Sequence, residues 1–253
     1  MAGTIVLTEP SMTDTNPQPQ NVDPAEIAKF DAMAARWWDP QGEFKPLHQL
    51  NPVRYGFVAD RAELAGRKVV DVGCGGGILT ESLARGGADT TGIDLASEAL
   101  AVARLHAEAN GLSIDYREVP SSQLADEQPG TYDVVTCMEL LEHVPEPAEL
   151  IADCARLLKP GGKAFFSTIN RTPKAYALAI VAAEYIAQLL PRGTHDYQKF
   201  IRPSELAAML RQAGFALDEI AGLRYDPIGG MHSLTNSPDV NYVVAAYKPV
   251  ADD

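Results

Sequence analysis

A run of glycines after a hydrophobic segment is the sharpest chemical signal in the sequence. Residues 69–77 read Val-Val-Asp-Val-Gly-Cys-Gly-Gly-Gly, and a helix-like segment follows them. Glycine lets the backbone turn tightly and approach a ligand without a clash from Cβ. The first turn of a helix offers unpaired N–H groups and a positive dipole end, where a ligand carboxylate can bind. The pattern therefore predicts a ligand-binding loop between a buried strand and a helix.

An acidic residue ends the next predicted strand. Asp94 stands 21 residues after Gly73, and in open α/β sheets a carboxylate there can accept hydrogen bonds from the hydroxyls of a ribose. Dinucleotide oxidoreductases share this arrangement, but the loop lacks the third glycine at the offset that their Gly-x-Gly-x-x-Gly motif requires. A nicotinamide oxidoreductase is thus the disfavoured alternative. Asp94 could also serve as an acid at a helix N-terminus, although Ser97 is the better candidate for that cap.

Two carboxylates and an imidazole follow the fourth predicted strand. If Glu139, Glu142 and His143 lie on a helix, their spacing of three and four residues places them on one face. Such a set can hold a divalent ion, and in the alternative His143 is a general base or a structural residue. His195 is a second candidate base, whose alternative is a loop histidine bonded to its neighbours.

Alternating strand-like and helix-like segments position these residues. Strands are predicted at 68–74, 89–95, 114–119, 132–139 and 163–169, and helices at 78–85, 97–109 and 148–158. Such alternation predicts parallel strands joined by right-handed crossovers, the arrangement of a doubly wound α/β sheet. A helix at 203–213 follows, and the last two strands, at 215–220 and 241–247, are expected to form an antiparallel pair at the sheet edge. The candidate residues after strands one, two and four then lie at the carboxyl edge of the sheet, where such folds bind ligands.

The regions around this alternation form further segments. Residues 1–20 have the composition of a disordered tail. An N-terminal helical extension is predicted over 21–66, with Asp23 as the N-cap of its first helix. The α/β domain then covers 67–250 and contains a helical insertion at 172–198, after the fifth strand.

Two tryptophans end the first predicted helix. We interpret Trp37 and Trp38 as residues that pack the extension onto the main domain. A helix that covers a ligand cleft would have the same pattern, so a lid is the alternative.

Composition and charge disfavour several kinds of function. The formal net charge of −13 gives little attraction to phosphate backbones, so nucleic acid is not expected as a partner. The three cysteines have no CxxC spacing, and their odd number predicts no disulfide framework. No secretory signal is expected, because the N-terminal residues show no basic stretch followed by an apolar one, and no apolar stretch reaches the length of about 20 residues that spans a membrane. A cytoplasmic protein is therefore expected.

Several motifs together resemble those of a known enzyme family. The glycine loop, Asp94 and the segments 132–135 and 158–162 are similar to motifs of class I S-adenosylmethionine-dependent methyltransferases. Flanking segments resemble the ubiquinone-biosynthesis O-methyltransferases, which methylate polyprenyl-phenol intermediates. Those segments are 21–39, 42–48, 51–54, 137–144, 166–171, 193–196 and 239–242. The resemblance implies a doubly wound, seven-stranded, mostly parallel sheet whose last strand is antiparallel.

The resemblance also implies roles for individual residues. It implies that S-adenosylmethionine is the cofactor and that four residues contact it: Arg54, Gly73, Asp94 and Met138. Arg54 can pair with the methionyl carboxylate, whereas without the resemblance it would be interpreted as a surface arginine. The resemblance further supports a magnesium-type (Mg²⁺) site, able to chelate a catechol-type substrate, at Glu139, Glu142 and His143. The chain departs from many class I enzymes at 119–122, where no acid follows strand three to bind the adenine amino group.

Methyl transfer to a phenol requires help with the phenolic proton. A phenol has a pKa of about 10, so little of it is ionised at neutral pH, and a base or a metal ion must assist. His143 and His195 are the candidate bases. Two other functions stay open: a methyltransferase for a soluble small phenol, and a non-catalytic member of an assembly with other ubiquinone-biosynthesis enzymes.

An apolar segment inside the insertion predicts contact with a membrane. Of the 16 residues at 175–190, 14 are Ala, Leu, Ile, Val or Tyr. The segment is too short to span a bilayer and too apolar for an ordinary surface helix. Because a polyprenyl substrate resides in the bilayer, the segment is predicted to contact the membrane surface and to make the protein peripheral on its inner face. A buried helix or an oligomer contact is the alternative.

Overall fold

A computed structural model describes residues 21–177, 196–226 and 231–250. The predicted tail at 1–20, the candidate base His195 and most of the apolar segment 175–190 lie outside the described residues. Within the described ranges, no helix is long and apolar enough to cross a bilayer.

The first helix of the extension begins where the sequence predicts. Helix α1 covers Pro24–Met33 and continues as a 3-10 turn at Ala34–Arg36. Asp23 caps α1, because its Oδ1 accepts the backbone N–H of Ala25 at 3.0 Å. Pro24 fits the first helical position since its missing N–H would have no partner there.

Helix α2, Lys45–Ala59, is a second helix of the extension that the sequence patterns did not predict. Pro52 stands inside it, and a proline in a helical pattern is ordinarily a sign that the helix ends. Tertiary packing supports this helix, because Leu50, Phe57 and Val58 are buried in a hydrophobic cluster with strand residues of the sheet.

The remaining helices follow in chain order. They are α3 (Ile78–Arg85), α4 (Ser97–Ala109), α5 (Ser121–Glu127), α6 (Pro147–Leu157), α7 (Pro173–Ala175) and α8 (Pro203–Gln212). Helices α3 and α4 have the predicted bounds. Helix α5 escaped prediction because its 7 residues are too few to display a helical period.

The strands alternate with these helices up to the fifth. They are β1 (Lys68–Val72), β2 (Asp89–Asp94), β3 (Asp115–Glu118), β4 (Tyr132–Met138), β5 (Leu158–Ile169), β6 (Ala216–Asp226), β7 (Met231–Thr235) and β8 (Asn241–Tyr247). Their order in the sheet is β3-β2-β1-β4-β5-β8-β6-β7. The pairings among β1 to β5 are parallel, whereas β8 pairs antiparallel with both β5 and β6. The predicted α/β class with a mostly parallel sheet is therefore confirmed.

The expected number of seven strands is wrong for the described residues, which form 8. Strand β6 continues to Asp226, beyond the predicted end at residue 220, and β7 pairs antiparallel with this extension. The β6–β8 pair is antiparallel as expected, but β7 and not this pair forms the sheet edge. Strand β7 is only partly buried or exposed along its length, so it lacks the apolar alternation that identifies a strand in a sequence.

The core lies on both faces of the sheet. Neighbouring residues of one strand point to opposite faces, as the period of two requires. Val70 and Phe166 belong to the cluster that also contains residues of α5, α6 and α8, whereas Val69 and Phe165 belong to the cluster that contains residues of α2 and α3. Helices on both faces leave the carboxyl edge of the parallel strands as the place for a ligand.

Candidate active site

A cavity of about 530 Å³ opens at the carboxyl ends of β1, β2 and β4. Its volume is in the range typical of small-molecule and cofactor sites. The sequence-predicted residues that line it are Arg54, Gly73, Asp94, Met138, Glu139 and His143. The structure thus brings all four proposed cofactor contacts together with two of the three proposed metal ligands, one of them the candidate base His143, in one cavity.

The glycine loop owes its conformation to the absence of side chains at two positions. Gly75 has a φ of 51°, in the left-handed region that favours glycine. A Cβ on Gly75 or on Gly76 would stand 2.3 Å from the ring of Trp37. Trp37 also lines the cavity and stacks on Phe44, with ring centroids 3.9 Å apart. At these two positions the missing side chains therefore leave room for an aromatic ring of the extension.

Asp94 organises the loop through backbone hydrogen bonds. Its Oδ2 accepts the N–H of Gly75 at 2.8 Å, and its Oδ1 accepts the N–H groups of Leu95 and Ala96 at 2.7 and 2.9 Å. Burial raises the pKa of the Asp94 carboxyl, and these three bonds oppose that shift. Since a carboxylate has about four acceptor positions, the bonds leave roughly one for a ligand hydroxyl.

The expectation that Ser97 caps α4 is wrong. Ala96 is the N-cap residue, and no side-chain cap bond is formed there. Asp94 accepts the N–H groups just before the helix instead, so its structural role and its position in the cavity coexist.

Arg54 extends from α2 into the cavity with an unmet hydrogen-bonding group. The residue is 4% exposed, and its Nε has no hydrogen-bond partner among the described residues. Burial lowers the pKa of the guanidinium, while the charges of Glu139 and Asp71 oppose the shift. Because a buried donor without a partner is costly, this guanidinium suits a ligand carboxylate. The interpretation of Arg54 as a surface residue is wrong.

Asp71 lines the same end of the cavity, and two threonines hold its carboxylate. Its carboxylate accepts hydrogen bonds from the hydroxyls of Thr80 and Thr136, at 2.7 and 2.6 Å. Met138 ends β4, is buried and lines the cavity.

The segment after β4 differs from the helix that the metal-site prediction assumed. Glu139 has a φ of 54°, in the left-handed region, and only a 3-10 turn at Leu141–His143 follows. The backbone N–H of Glu139 bonds to the carbonyl of Ser167 on β5 at 3.1 Å, so the residue that follows β4 stays attached to the neighbouring strand. The predicted single helical face for the three donors is therefore wrong.

Each of the three donors has a protein partner. Glu139 Oε1 accepts the Ser167 hydroxyl at 2.6 Å, and Glu142 Oε2 accepts the Thr168 hydroxyl at 2.8 Å. His143 Nδ1 lies 2.9 Å from Oε2 of Glu26 on α1. Across the part of the chain that the structure describes, no three His, Cys, Asp or Glu side chains are arranged to hold a metal ion. The donors as arranged do not fit Mg²⁺.

Burial and mutual charge shift the ionisation of this group. Burial and the charge of Glu139 raise the pKa of Glu142 to about 7, although His143 and the Thr168 hydroxyl oppose the shift. Burial opposes protonation of His143, but the hydrogen bond to Glu26 and the charges of Glu142 and Glu139 outweigh it and raise the pKa of the imidazole. The hydrogen bond to His143 lowers the pKa of Glu26 to about 2, against the effect of burial.

The extension contributes cavity residues that sequence reasoning missed. Glu26 and Phe30 line the cavity and are one helical turn apart, so both face it from α1. Nothing in the local sequence distinguishes Glu26 from a solvated helix residue, because its partner is distant in the chain. Trp37 packs the extension onto the domain as interpreted, and it also covers part of the cleft.

Comparison with known proteins identifies the family. The family model for a methyltransferase domain matches residues 54–220. The ubiquinone biosynthesis O-methyltransferase of Pseudomonas aeruginosa UCBPP-PA14 is 59% identical over 224 residues, which are 88% of this chain and 97% of that protein. The enzyme of the same name from Ralstonia nicotianae is 55% identical over 91% of this chain and 97% of its own.

Solved structures agree on the fold. The S-adenosylmethionine-bound magnesium protoporphyrin IX methyltransferase of Synechocystis superposes with a TM-score of 0.61 at 19% identity, covering 88% of this chain and 96% of its own. An S-adenosylmethionine-dependent methyltransferase of Methanosarcina mazei gives 0.61 at 22% identity, covering 79% and 100%. These likenesses concern the fold alone, whereas the curated relatives carry the assignment. This chain belongs to the ubiquinone biosynthesis O-methyltransferases, within the methyltransferase-domain family.

Proposed function

We propose that the protein transfers a methyl group from S-adenosylmethionine to a phenolic hydroxyl of a polyprenyl-phenol intermediate of ubiquinone biosynthesis. The observation that carries the proposal is one cavity with two chemically distinct ends, one suited to the cofactor and the other to the phenolic proton. The names of relatives 55 to 59% identical over about nine-tenths of the chain give O-methylation in ubiquinone biosynthesis, and the sequence resemblance adds the polyprenyl-phenol class.

The cofactor end fits S-adenosylmethionine. The Arg54 guanidinium, whose Nε has no partner among the described residues, suits the methionyl carboxylate. The remaining acceptor position of Asp94 suits a ribose hydroxyl. Gly73 and Met138 line the space between and beside them. When bound, this cofactor supplies an electrophilic methyl group on a sulfonium.

The other end of the cavity handles the proton of the phenol. His143 accepts that proton at its imidazole as the phenolic O–H bond breaks, and the oxygen keeps the electron pair that makes it a nucleophile. The raised pKa of His143 makes it a stronger base than an ordinary imidazole. The difference between its pKa and the phenol pKa of about 10 is therefore smaller. His195, outside the described residues, is the second candidate for this role.

A methyl-transfer assay tests the function directly. The purified protein is given S-adenosylmethionine with a hydroxylated polyprenyl-phenol or with a soluble catechol of the same ring pattern. We expect a methylated tailed product and a much higher kcat/KM for the tailed phenol. Equal kcat/KM for both would favour a soluble phenol as the substrate, and cofactor binding without turnover of either would favour a non-catalytic role.

The same assay addresses the metal. An ion at Glu139, Glu142 and His143 would require these side chains to rearrange, because they do not form a metal-binding cluster among the described residues. His143 could keep its contact with Glu26 at Nδ1 and bind the ion through Nε2. Turnover that is lost on chelation and restored by Mg²⁺ would show that such a rearrangement occurs. Full turnover after exhaustive chelation would remove the metal from the reaction and leave the acid–base role.

The segment at 175–190 gives the protein access to a substrate that resides in the membrane. Its composition, with 14 of 16 residues Ala, Leu, Ile, Val or Tyr, supports reversible binding at a bilayer surface. The test is co-sedimentation with liposomes of the intact protein and of a variant with Ile180, Val181 and Ile186 changed to serine. Equal pelleting of both folded proteins, or of neither, would contradict membrane contact by this segment.

A further inference from the structure

Helix α1 lines the cavity and is hydrogen-bonded to the main domain just before its first residue and again in its last turn. Asn21 exchanges two hydrogen bonds with the backbone of Glu146, at 2.7 and 2.8 Å. Near the other end, Asp31 accepts the backbone N–H of Glu98 at 3.0 Å. These contacts join α1 to the loop before α6 and to the start of α4, so the helix is held independently of what lies beneath it.

Between these ties, one face of α1 holds the imidazole of His143. Oε2 of Glu26 lies 2.9 Å from Nδ1, and the Phe30 ring meets the imidazole edge to face, with centroids 5.3 Å apart and planes at 85°. The Glu26 and His143 side chains are only 14% and 11% exposed. A buried imidazole that is packed against an aromatic ring and hydrogen-bonded at Nδ1 has little freedom to turn.

We propose that Glu26 is a positioning residue that fixes the tautomer and orientation in which His143 receives the phenolic proton. A carboxylate beside Nδ1 keeps the proton on that nitrogen and the basic lone pair on Nε2. The inference rests on the proposed function, in which His143 is the base. Since Glu26 precedes the matched methyltransferase domain at 54–220, the extension completes the acid–base end of the domain.

Glu26 also pairs with Lys29 on its other oxygen, at 2.8 Å. This second pair offers a matched control, because changing Lys29 removes a partner of Glu26 and leaves the contact with His143. If Glu26 only held α1 in place, the loss of its contact with Lys29 or with His143 would lower the stability of the protein. Neither loss would then slow the chemical step.

A double-mutant cycle tests the proposal. The variants are Glu26→Gln, His143→Asn and their combination, with Lys29→Gln as the control. An amide at position 26 can donate to Nδ1 as well as accept from it, so one tautomer is no longer enforced. We expect Glu26→Gln to lower kcat about 30-fold, with less than twofold changes in KM for the phenol and in Kd for S-adenosylhomocysteine.

The remaining measurements decide whether Glu26 acts through His143. In the His143→Asn background, Glu26→Gln should change kcat less than twofold, Lys29→Gln should stay within twofold of wild type, and Glu26→Asp should restore part of the lost rate. An equal loss from Glu26→Gln in both backgrounds, or a lowered Tm with unchanged kcat, would overturn the inference while His143 stays the base. Full kcat for His143→Asn would instead overturn the base assignment, and the inference with it.

Discussion

The two ends of the cavity are built in different ways. At the cofactor end, the carboxylate of Asp94 bonds to backbone N–H groups 1, 2 and 19 residues away. At the acid–base end, Glu142 bonds to Thr168, 26 residues away, and His143 bonds to Glu26, 117 residues away. The first end is centred on one strand–loop–helix unit and its neighbouring strand, to which α2 adds Arg54 and β4 adds Met138. The second end requires α1, β4 and β5 to meet.

Because the two ends are built differently, mutations at each end should impair different properties of the protein. Backbone donors in the glycine loop are present whatever side chains surround them, so the cofactor end depends on loop conformation. The acid–base end depends on paired side chains whose charges raise or lower one another's pKa. Changes at the first end should therefore alter cofactor affinity, and changes at the second should alter turnover and the pH dependence of stability.

The largest effect is expected at the cofactor end. Asp94→Ala should weaken S-adenosylhomocysteine binding by roughly 3 to 4 kcal/mol, or a few hundred-fold in Kd, because a charge-assisted ligand bond and the loop bond to Gly75 are lost together. Isothermal titration calorimetry measures this change. Asp89→Ala, an exposed site at the other end of the same strand, is the control and should bind normally. Unchanged affinity for Asp94→Ala would remove Asp94 from the site.

A smaller effect, on stability and with a defined pH range, is expected at the acid–base end. The pKa of Glu142 is raised from 4.5 to about 7 in the folded protein, so its ionisation opposes folding increasingly from pH 4.5 to about 7. The free energy of unfolding of Glu142→Gln, relative to wild type, should therefore rise by about 3 kcal/mol over that range and level off above it. Urea titrations across pH measure this difference. The exposed Glu108→Gln is the control, and an equally flat profile for both variants would contradict the prediction.

The next effect is a loss of stability at the contact between the extension and the glycine loop. Gly76→Ala should cost about 2 kcal/mol of stability, since its Cβ would stand 2.3 Å from the Trp37 ring. The cost should shrink when Trp37 is changed to Ala, as urea denaturation of the two single variants and the double variant would show. Gly56→Ala, where no atom lies within 4 Å of the new Cβ, is the control. If the stability costs of Gly76→Ala and Trp37→Ala simply add in the double variant, the cost of Gly76→Ala does not come from a clash with the Trp37 ring.

The smallest effect concerns the Ser167 hydroxyl, which donates to Glu139 Oε1 and also accepts the backbone N–H of Glu139 at 3.1 Å. Ser167→Ala removes the hydroxyl that donates to Glu139 at 2.6 Å, and should lower stability by about 1 kcal/mol while cofactor affinity holds. Denaturation and calorimetry measure the two quantities, with the exposed Ser204→Ala as the control. A large loss of cofactor affinity would show that the two ends of the cavity are coupled rather than separable.

Particular elements show how far sequence patterns reach. The bounds of α3 and α4 agree with prediction, because both helices bury apolar residues at helical spacing within one segment. Helix α2 and strand β7 were missed, since Pro52 obscures the first and the second has no buried face. The four predicted cofactor contacts lie around one cavity, and their binding of the cofactor stays a prediction.

The sequence by itself determined the family, the α/β class and the place of the ligand loop. These follow from local properties: glycine where φ is positive, apolar runs of strand length, and an acid at the end of β2. Only the tertiary structure decided the partners of Glu139, Glu142 and His143, and it replaced a presumed helix with a left-handed residue and a 3-10 turn. The reason is physical: a hydrogen-bond partner 117 residues away is chosen by which elements pack together, and spacing along one segment contains no record of that choice.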